Sequence, residues 1–193
     1  MYFLKKRSIR FYLGFVMILT MAIGGSAIAA FADSGTASVA VNGGSLTLTG
    51  VTNVSAAPVT LTGDDQTTTY SMGLTVSDAR GSGAGWNLSI TSSAFTTGSQ
   101  SMSNTASSIN ATPAVACSSA GGHCTSPDDS AIAYPVGVPA GAIAPAPVKF
   151  FDAKANTGLG KFAITPVVTL SIPGNTYAGT YTSTVTIALN MGP

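Results

Sequence analysis

From Leu74 to Ile90 the chain reads LTVSDARGSGAGWNLSI, and its apolar residues recur at every second position on both sides of a glycine-rich turn. Leu74 and Val76 point one way and Thr75 and Ser77 the other; Trp86, Leu88 and Ile90 resume the period after the turn. A period of two belongs to a strand with one dry face, not to an amphipathic helix. The stretch predicts a hairpin, with Gly81, Gly83 and Gly85 supplying the turn. Trp86, the one tryptophan, buries a large apolar area in such a strand and leaves an indole N–H in need of an acceptor.

The same alternation recurs along the chain. It marks Val39 and Val41, Leu46 and Leu48, Val59 and Leu61, Tyr70 and Met72, then Ile132 to Val138, Phe162 and Ile164, Val168 to Ile172, and Tyr181 to Leu189. Asn42-Gly43-Gly44, Thr62-Gly63-Asp64-Asp65, Gly158-Leu159-Gly160 and Pro173-Gly174-Asn175 separate these runs as turns. Glutamate is absent and Thr, Ser, Gly, Val and Ala dominate, which disfavours helix. The expected fold is all-β, an antiparallel β-sandwich or barrel-like fold of about nine short strands. Ser92 to Ala114 holds few bulky residues and leads into the cysteine segment, so residues 92–131 read as a long loop insertion, with Phe95 to Asp129 its recognition surface. The three prolines of PAGAIAPAPVKFF predict an edge or extended connection before Phe150-Phe151.

The first 32 residues belong to a different class of segment. Lys5, Lys6, Arg7 and Arg10 precede an apolar run from Phe11 to Ile23, and Ala27-Ile28-Ala29 or Ala30-Phe31-Ala32 offers a small-x-small cleavage site. This is the pattern of a secretory signal peptide over 1–32; the alternative is an uncleaved anchor over Phe11 to Ala32. Removal leaves a single domain, 33–193, with no membrane segment. It carries four basic residues, Arg80, Lys149, Lys154 and Lys161, against seven aspartates, a net charge of about −3. No basic stripe remains to neutralise phosphates, which excludes nucleic acid as a partner class.

Cys117 and Cys124 flank SSAGGH, and in an exported chain such a pair predicts a disulfide pinning a loop. A metal site with His123 is the alternative, but it lacks a fourth ligand. Asp64-Asp65 has no EF-hand spacing around it and reads as a solvated turn. RGSGAGW lacks the helix a dinucleotide fingerprint requires. Arg80 and Asp78 are expected to form a surface pair of small energetic weight.

These residues resemble the WxL domain of Gram-positive cell surfaces. The resemblance rests on Trp86-Asn87-Leu88 after the glycine-rich turn, on FFDAKANTGLGKFAITP, and on the closing block IPGNTYAGTYTSTVTIALNMGP. A second Trp-x-Leu expected in the last strand is replaced by Ile187-Ala188-Leu189, which keeps strand alternation but loses the ring. The resemblance implies non-covalent attachment to the peptidoglycan-containing wall, with Trp86, Asn87 and Leu88 as ligand-binding residues. No sortase-type signal or apolar tail follows Leu189, in keeping with attachment that is non-covalent or mediated by a partner.

The residues allow three functions. The first is a secreted wall-binding module with a role in adhesion or a surface complex, its partner peptidoglycan or another wall polymer. Trp86 with Tyr70, Tyr177 or Tyr181 then forms a sugar-stacking platform, or Trp86 is a core residue. The second is a surface-fibre subunit built by strand exchange with other copies or other surface proteins, because charges that blunt sheet edges are scarce. The third, an enzyme, lacks its chemistry: one histidine sits in the cysteine loop, no glutamate exists, and Asp128-Asp129 reads as loop surface. No catalytic residue, metal or cofactor is expected.

Overall fold

The structure, a computed structural model, describes residues 34–193. The signal peptide over 1–32, its cleavage sites and the anchor alternative lie outside the described residues.

The alternating runs become strands, and among the described residues no helix forms. In chain order these are β1 (Leu46–Thr49), β2 (Gln66–Ser71), β3 (Leu74–Asp78), β4 (Trp86–Ser93), β5 (Thr96–Thr97), β6 (Gln100–Ser101) and β7 (Ser107–Ile109). There follow β8 (Ala114–Cys117), β9 (Val136–Gly137), β10 (Ala140–Gly141), β11 (Val148–Ala153), β12 (Gly160–Thr165), β13 (Val167–Ile172) and β14 (Val185–Met191). Among the described residues the strands number fourteen, more than the expected nine, because β5, β6 and β10 are two-residue pairings without an alternation to announce them and β7 and β8 lie in the segment read as a loop.

One four-stranded sheet runs β1-β3-β12-β8 and another β2-β13-β7-β9; in a third, β4 pairs with β11, β14 and β10. Every ladder is antiparallel except β10 with β4. The first two sheets share one long ribbon. β3 pairs with β12 and β2 with β13 in a register that continues from Leu74↔Ile164 to Ser71↔Val167. Pro166 interrupts it: it accepts from the Met72 N–H at 3.1 Å but has no N–H to return, so the ladder breaks there.

The core is sandwich-like. Leu74, Val76, Phe162 and Ile164 of the first sheet join Trp86, Leu88, Ile90, Phe150, Phe151 and Ala153 of the third and Tyr70, Ile109 and Val168 of the second in one buried cluster. Phe150 and Phe151 are both buried although they are neighbours, because a register shift between Lys149 and Phe151 breaks the alternation of β11.

Two expectations are corrected. Leu74–Ile90 is not a hairpin: β3 pairs with β1 and β12, β4 with β10, β11 and β14, and the glycine turn carries the chain from one sheet to another. Each strand has a dry face, and the two faces share the core instead of lying side by side. Nor is 92–131 only a loop. β7 lies between β13 and β9, and β8 pairs with β12, so the segment supplies a strand to each of two sheets. Val39, Val41, Val59 and Leu61 belong to no strand.

Candidate functional site

Trp86 opens β4 inside the core, with no exposed surface. Its ring stacks on Phe151 at 5.8 Å between centroids and 27° between planes, and tilts at 44° against Phe162 at 6.5 Å. The acceptor its N–H requires is the Gly158 carbonyl, at 3.0 Å. Gly158 has φ +69°, and a Cβ there would stand 2.6 Å from the indole nitrogen and 2.7 Å from the Ala153 Cβ. Only glycine closes over the ring. Neighbouring Asn156 also takes a left-handed conformation, φ 66°, and donates its N–H to Gly83 O at 2.7 Å, so the 156–160 loop and the glycine turn interlock beside the tryptophan.

On the other side of this loop sits the cysteine segment. The disulfide Cys117–Cys124 is formed, with Cα atoms 5.9 Å apart. Thr125 N–H donates to Leu159 O at 2.9 Å, Ser118 N–H to Lys161 O at 2.7 Å, and Lys161 N–H to Ser119 Oγ at 2.9 Å. Gly160 leaves so little room that a Cβ would stand 3.1 Å from Cys124 Sγ. Between the two loops lies a surface depression of about 410 Å³, lined by Gly122, His123, Cys124, Thr125, Leu159 and Gly160. Both thiols are consumed in the disulfide, and among the described residues no three His, Cys, Asp or Glu side chains converge as metal ligands.

The remaining motif residues hold the last strand. Asn87 donates from Nδ2 to Gly192 O at 3.0 Å and accepts from Asn190 Nδ2 at 3.0 Å. Leu88 is fully buried and faces Leu189 across the ladder, while Ile187 faces Ile90 and Ala188 faces Ser89. The two motif positions therefore lie on adjacent strands. Ile187, Ala188 and Leu189 are half-buried.

Trp86 does not share an exposed platform with tyrosines. Tyr70 is buried, its hydroxyl unpartnered and its pKa pushed up to about 12 by desolvation, whereas Tyr177 is exposed. Arg80 and Asp78 are not the surface pair expected. The guanidinium grips the carboxylate through Nε at 2.9 Å and Nη2 at 2.8 Å, and Nη2 also donates to Gly85 O at 2.7 Å. The Asp78 side chain is fully buried and that of Arg80 is 15% exposed. Hydrogen bonding from the Arg80 side chain, opposed by desolvation, holds the Asp78 carboxyl below its ordinary range. The ion pair clasps both ends of the glycine turn. Asp128 lies in a loop, where the Ser130 N–H and Lys154 ammonium hold its carboxyl down at about 2.

The depression was not legible in advance. The sequence places its residues in two separate segments, a turn at Gly158-Leu159-Gly160 and the loop around Cys117 and Cys124, and no local pattern joins them.

The profile of the WxL domain, described as surface cell wall-binding, matches residues 40–193. No curated protein and no solved structure matches the chain. The matched span takes in Trp86, the 156–160 loop, the disulfide and β14, and on that match over most of its length the chain belongs to the WxL domain family of surface cell-wall-binding domains.

Proposed function

We propose that this chain is exported by its N-terminal segment and holds non-covalently to peptidoglycan through the depression between the disulfide loop and the 156–160 loop, with an adhesive or complex-forming role at the surface. Trp86, Asn87 and Leu88 serve this binding by position: Trp86 is the buried post on which the 156–160 loop is set, and Asn87 and Leu88 fix β14 beside it. The observation that carries this reading is the Trp86 Nε1–Gly158 O bond, which ties the family's motif to the surface depression. The depression offers the His123 imidazole, the Thr125 hydroxyl and loop backbone, groups that suit the hydroxyls and amides of a glycan peptide. A net charge of about −3 repels anionic teichoic polymers and favours the neutral glycan. The role is binding, without catalysis.

The test is co-sedimentation with Gram-positive sacculi, untreated and stripped of teichoic polymers, for the parent and for a His123→Ala/Thr125→Ala chain. The parent is expected to pellet with both preparations and the variant, which alters only surface side chains, to stay in the supernatant. A variant that pellets like the parent would remove the depression from the binding surface. A parent that stays in solution would end direct wall binding.

A second reading, a surface-fibre subunit, is favoured by one observation: among the described residues β14 pairs only with β4, and the strand carries no charge, proline or bulge.

A further inference from the structure

We propose that the connection over residues 173–184 is a second glycan-binding site, in which the exposed ring of Tyr177 stacks on the face of an uncharged pyranose. The inference rests on the wall-binding reading and adds a contact at the far end of β4 from the depression.

The stretch PGNTYAGTYTST joins β13 to β14 and is far longer than a tight hairpin turn. It is fixed along its whole length. Gly174 N–H donates to Asp65 Oδ1 at 2.9 Å and Thr176 N–H to Pro173 O at 3.0 Å. Tyr181 Oη donates to Tyr177 O at 3.0 Å, which sets the backbone that carries the ring. Gly179 packs so closely on β5 that a Cβ there would stand 2.9 Å from Thr97 Oγ1. Thr96 and Thr182 exchange both backbone hydrogen bonds, at 3.0 and 2.9 Å, and Ser183 Oγ donates to Ser93 O at 2.6 Å. On this frame Tyr177 is 67% exposed, and among the described aromatic residues it alone is exposed. Ordering such a connection costs conformational entropy, and the ring it presents returns little of that by burial. A ring already held in place loses little freedom when a ligand settles on it.

The surroundings select the ligand. From Gly81 to Pro127 and from Phe162 to Pro193 the chain carries no Asp, Glu, Lys or Arg, so neither the connection nor the β5–β6 hairpin against it offers a counterion. Asp65, which meets the connection from outside, is engaged by the Gly174 N–H. What the region does offer is Asn175, Thr176, Thr180, Thr182 and Thr97, amides and hydroxyls that both donate and accept. A pyranose fits both halves of this arrangement: its polarised C–H face meets the negative face of the ring, and its hydroxyls meet the rim. A protein interface asks for more apolar surface than one ring, and no other exposed large apolar side chain belongs to the connection or to β5 and β6. β4 runs from Trp86, bonded to Gly158 beside the depression, to Ser93, bonded to Ser183 of the connection, a length of ~23 Å at ~3.3 Å per residue. A glycan strand repeats its sugar face along its length, so one polymer held at both ends of β4 binds more tightly than either contact alone provides.

The test uses the full chain expressed and exported by a Gram-positive host. Binding isotherms on teichoic-free sacculi, with and without their wall proteins, are measured for the parent, Tyr177→Ala, Tyr177→Trp and the His123→Ala/Thr125→Ala chain. A soluble β-1,4-linked N-acetylglucosamine pentamer is titrated into the isotopically labelled parent and followed by amide chemical shifts. Position 177 is exposed, so both of its variants are expected to melt with the parent. On protein-free sacculi Tyr177→Ala is expected to bind about tenfold more weakly and Tyr177→Trp at least as tightly as the parent, with pentamer shifts in residues 175–182. Tyr177→Ala binding like the parent, while the His123→Ala/Thr125→Ala chain is weakened, overturns this site and leaves the depression in place. A loss seen only on sacculi that keep their wall proteins means that the ring meets a protein, and overturns the glycan as its ligand. A parent that ignores sacculi ends the wall-binding reading; pentamer shifts confined to residues 175–182 then uphold the site by themselves, and their absence overturns it.

Discussion

Replacing Trp86 separates a structural post from a ligand contact. The indole is fully buried, and removing about 150–250 Å² of aromatic surface forfeits roughly 4–6 kcal/mol at about 25 cal/mol per Å². Loss of the indole N–H leaves the Gly158 carbonyl without its partner, a further cost of about 1–3 kcal/mol. Relaxation of Phe151 and Phe162 into the space offsets part of this, so Trp86→Ala is expected to cost about 4–5 kcal/mol, the upper end for an aromatic truncation. Against a total stability of about 5–15 kcal/mol, that lowers the melting temperature by about 10–20 °C at about 2–4 °C per kcal/mol. Trp86→Phe keeps a ring on Phe151 but forfeits the bond to Gly158, and is expected to lose about 1–3 kcal/mol. Thermal unfolding by circular dichroism measures both, and sacculus co-sedimentation 10 °C or so below each midpoint measures binding. The phenylalanine variant, folded but without the bond that sets the 156–160 loop, is expected to bind more weakly than the parent, and the folded alanine variant more weakly still. If the alanine variant melts with the parent yet fails to bind, the indole touches the ligand and the reasoning from the core is wrong.

Arg80→Gln leaves the Asp78 carboxylate buried without its cation and is expected to cost about 3–5 kcal/mol, read from denaturant midpoints. The Asp78 carboxyl titrates below its unfolded value of about 3.9, so its stabilisation is complete above that pH and is lost as the pH falls through the lower folded value; the parent's melting temperature is expected to drop on acidification below about pH 4, and the Arg80→Gln profile to be flatter there. Cys117→Ser/Cys124→Ser opens a loop of about eight residues, worth about 2.5 kcal/mol of chain entropy; a fall of about 5–10 °C in melting temperature is expected, with weakened sacculus binding because the depression loses one wall. Tyr70→Phe deletes a buried hydroxyl that has no partner and is expected to leave stability unchanged or raise it by about 1 kcal/mol, checked by chemical denaturation.

What the sequence disclosed follows from the range of the forces involved. Strands with one dry face, such as β3, β12 and β13, announce themselves because burial acts on each side chain separately and leaves a period of two. Trp86 and its need for an acceptor were legible for the same reason, and the disulfide followed from compartment and spacing. Sheet membership was not. The dry faces of β3 and β4 look identical in sequence whether the strands lie beside each other or across a core, and the choice depends on partners as remote as β12 and β14. Ser107–Ile109 and Ala114–Cys117 carry too little bulk to show a period, so their pairing is dictated by β13 and β12. The bulge that buries Phe150 along with Phe151 defeats alternation altogether.

A motif whose apolar residues are sealed from solvent can still mark a binding family, because it governs where loops stand. The indole N–H has one hydrogen-bond direction, and the carbonyl that takes it belongs to a residue that must be glycine. That glycine begins a turn whose next carbonyl receives Thr125 and whose next glycine abuts Cys124, so two bonds and one close packing contact lead from ring to surface. On the proposed reading, a change in a side chain lining the depression leaves the scaffold beneath in place, whereas a change at Trp86 displaces the 156–160 loop set upon it. The buried arginine clasp serves the same end from the other side: by gripping Asp78 and the Gly85 carbonyl together it fixes the sheet crossing that delivers Trp86 into the core. On the proposed reading, the residues that set the geometry of the depression and those it offers to a ligand are different sets, joined through the 156–160 loop.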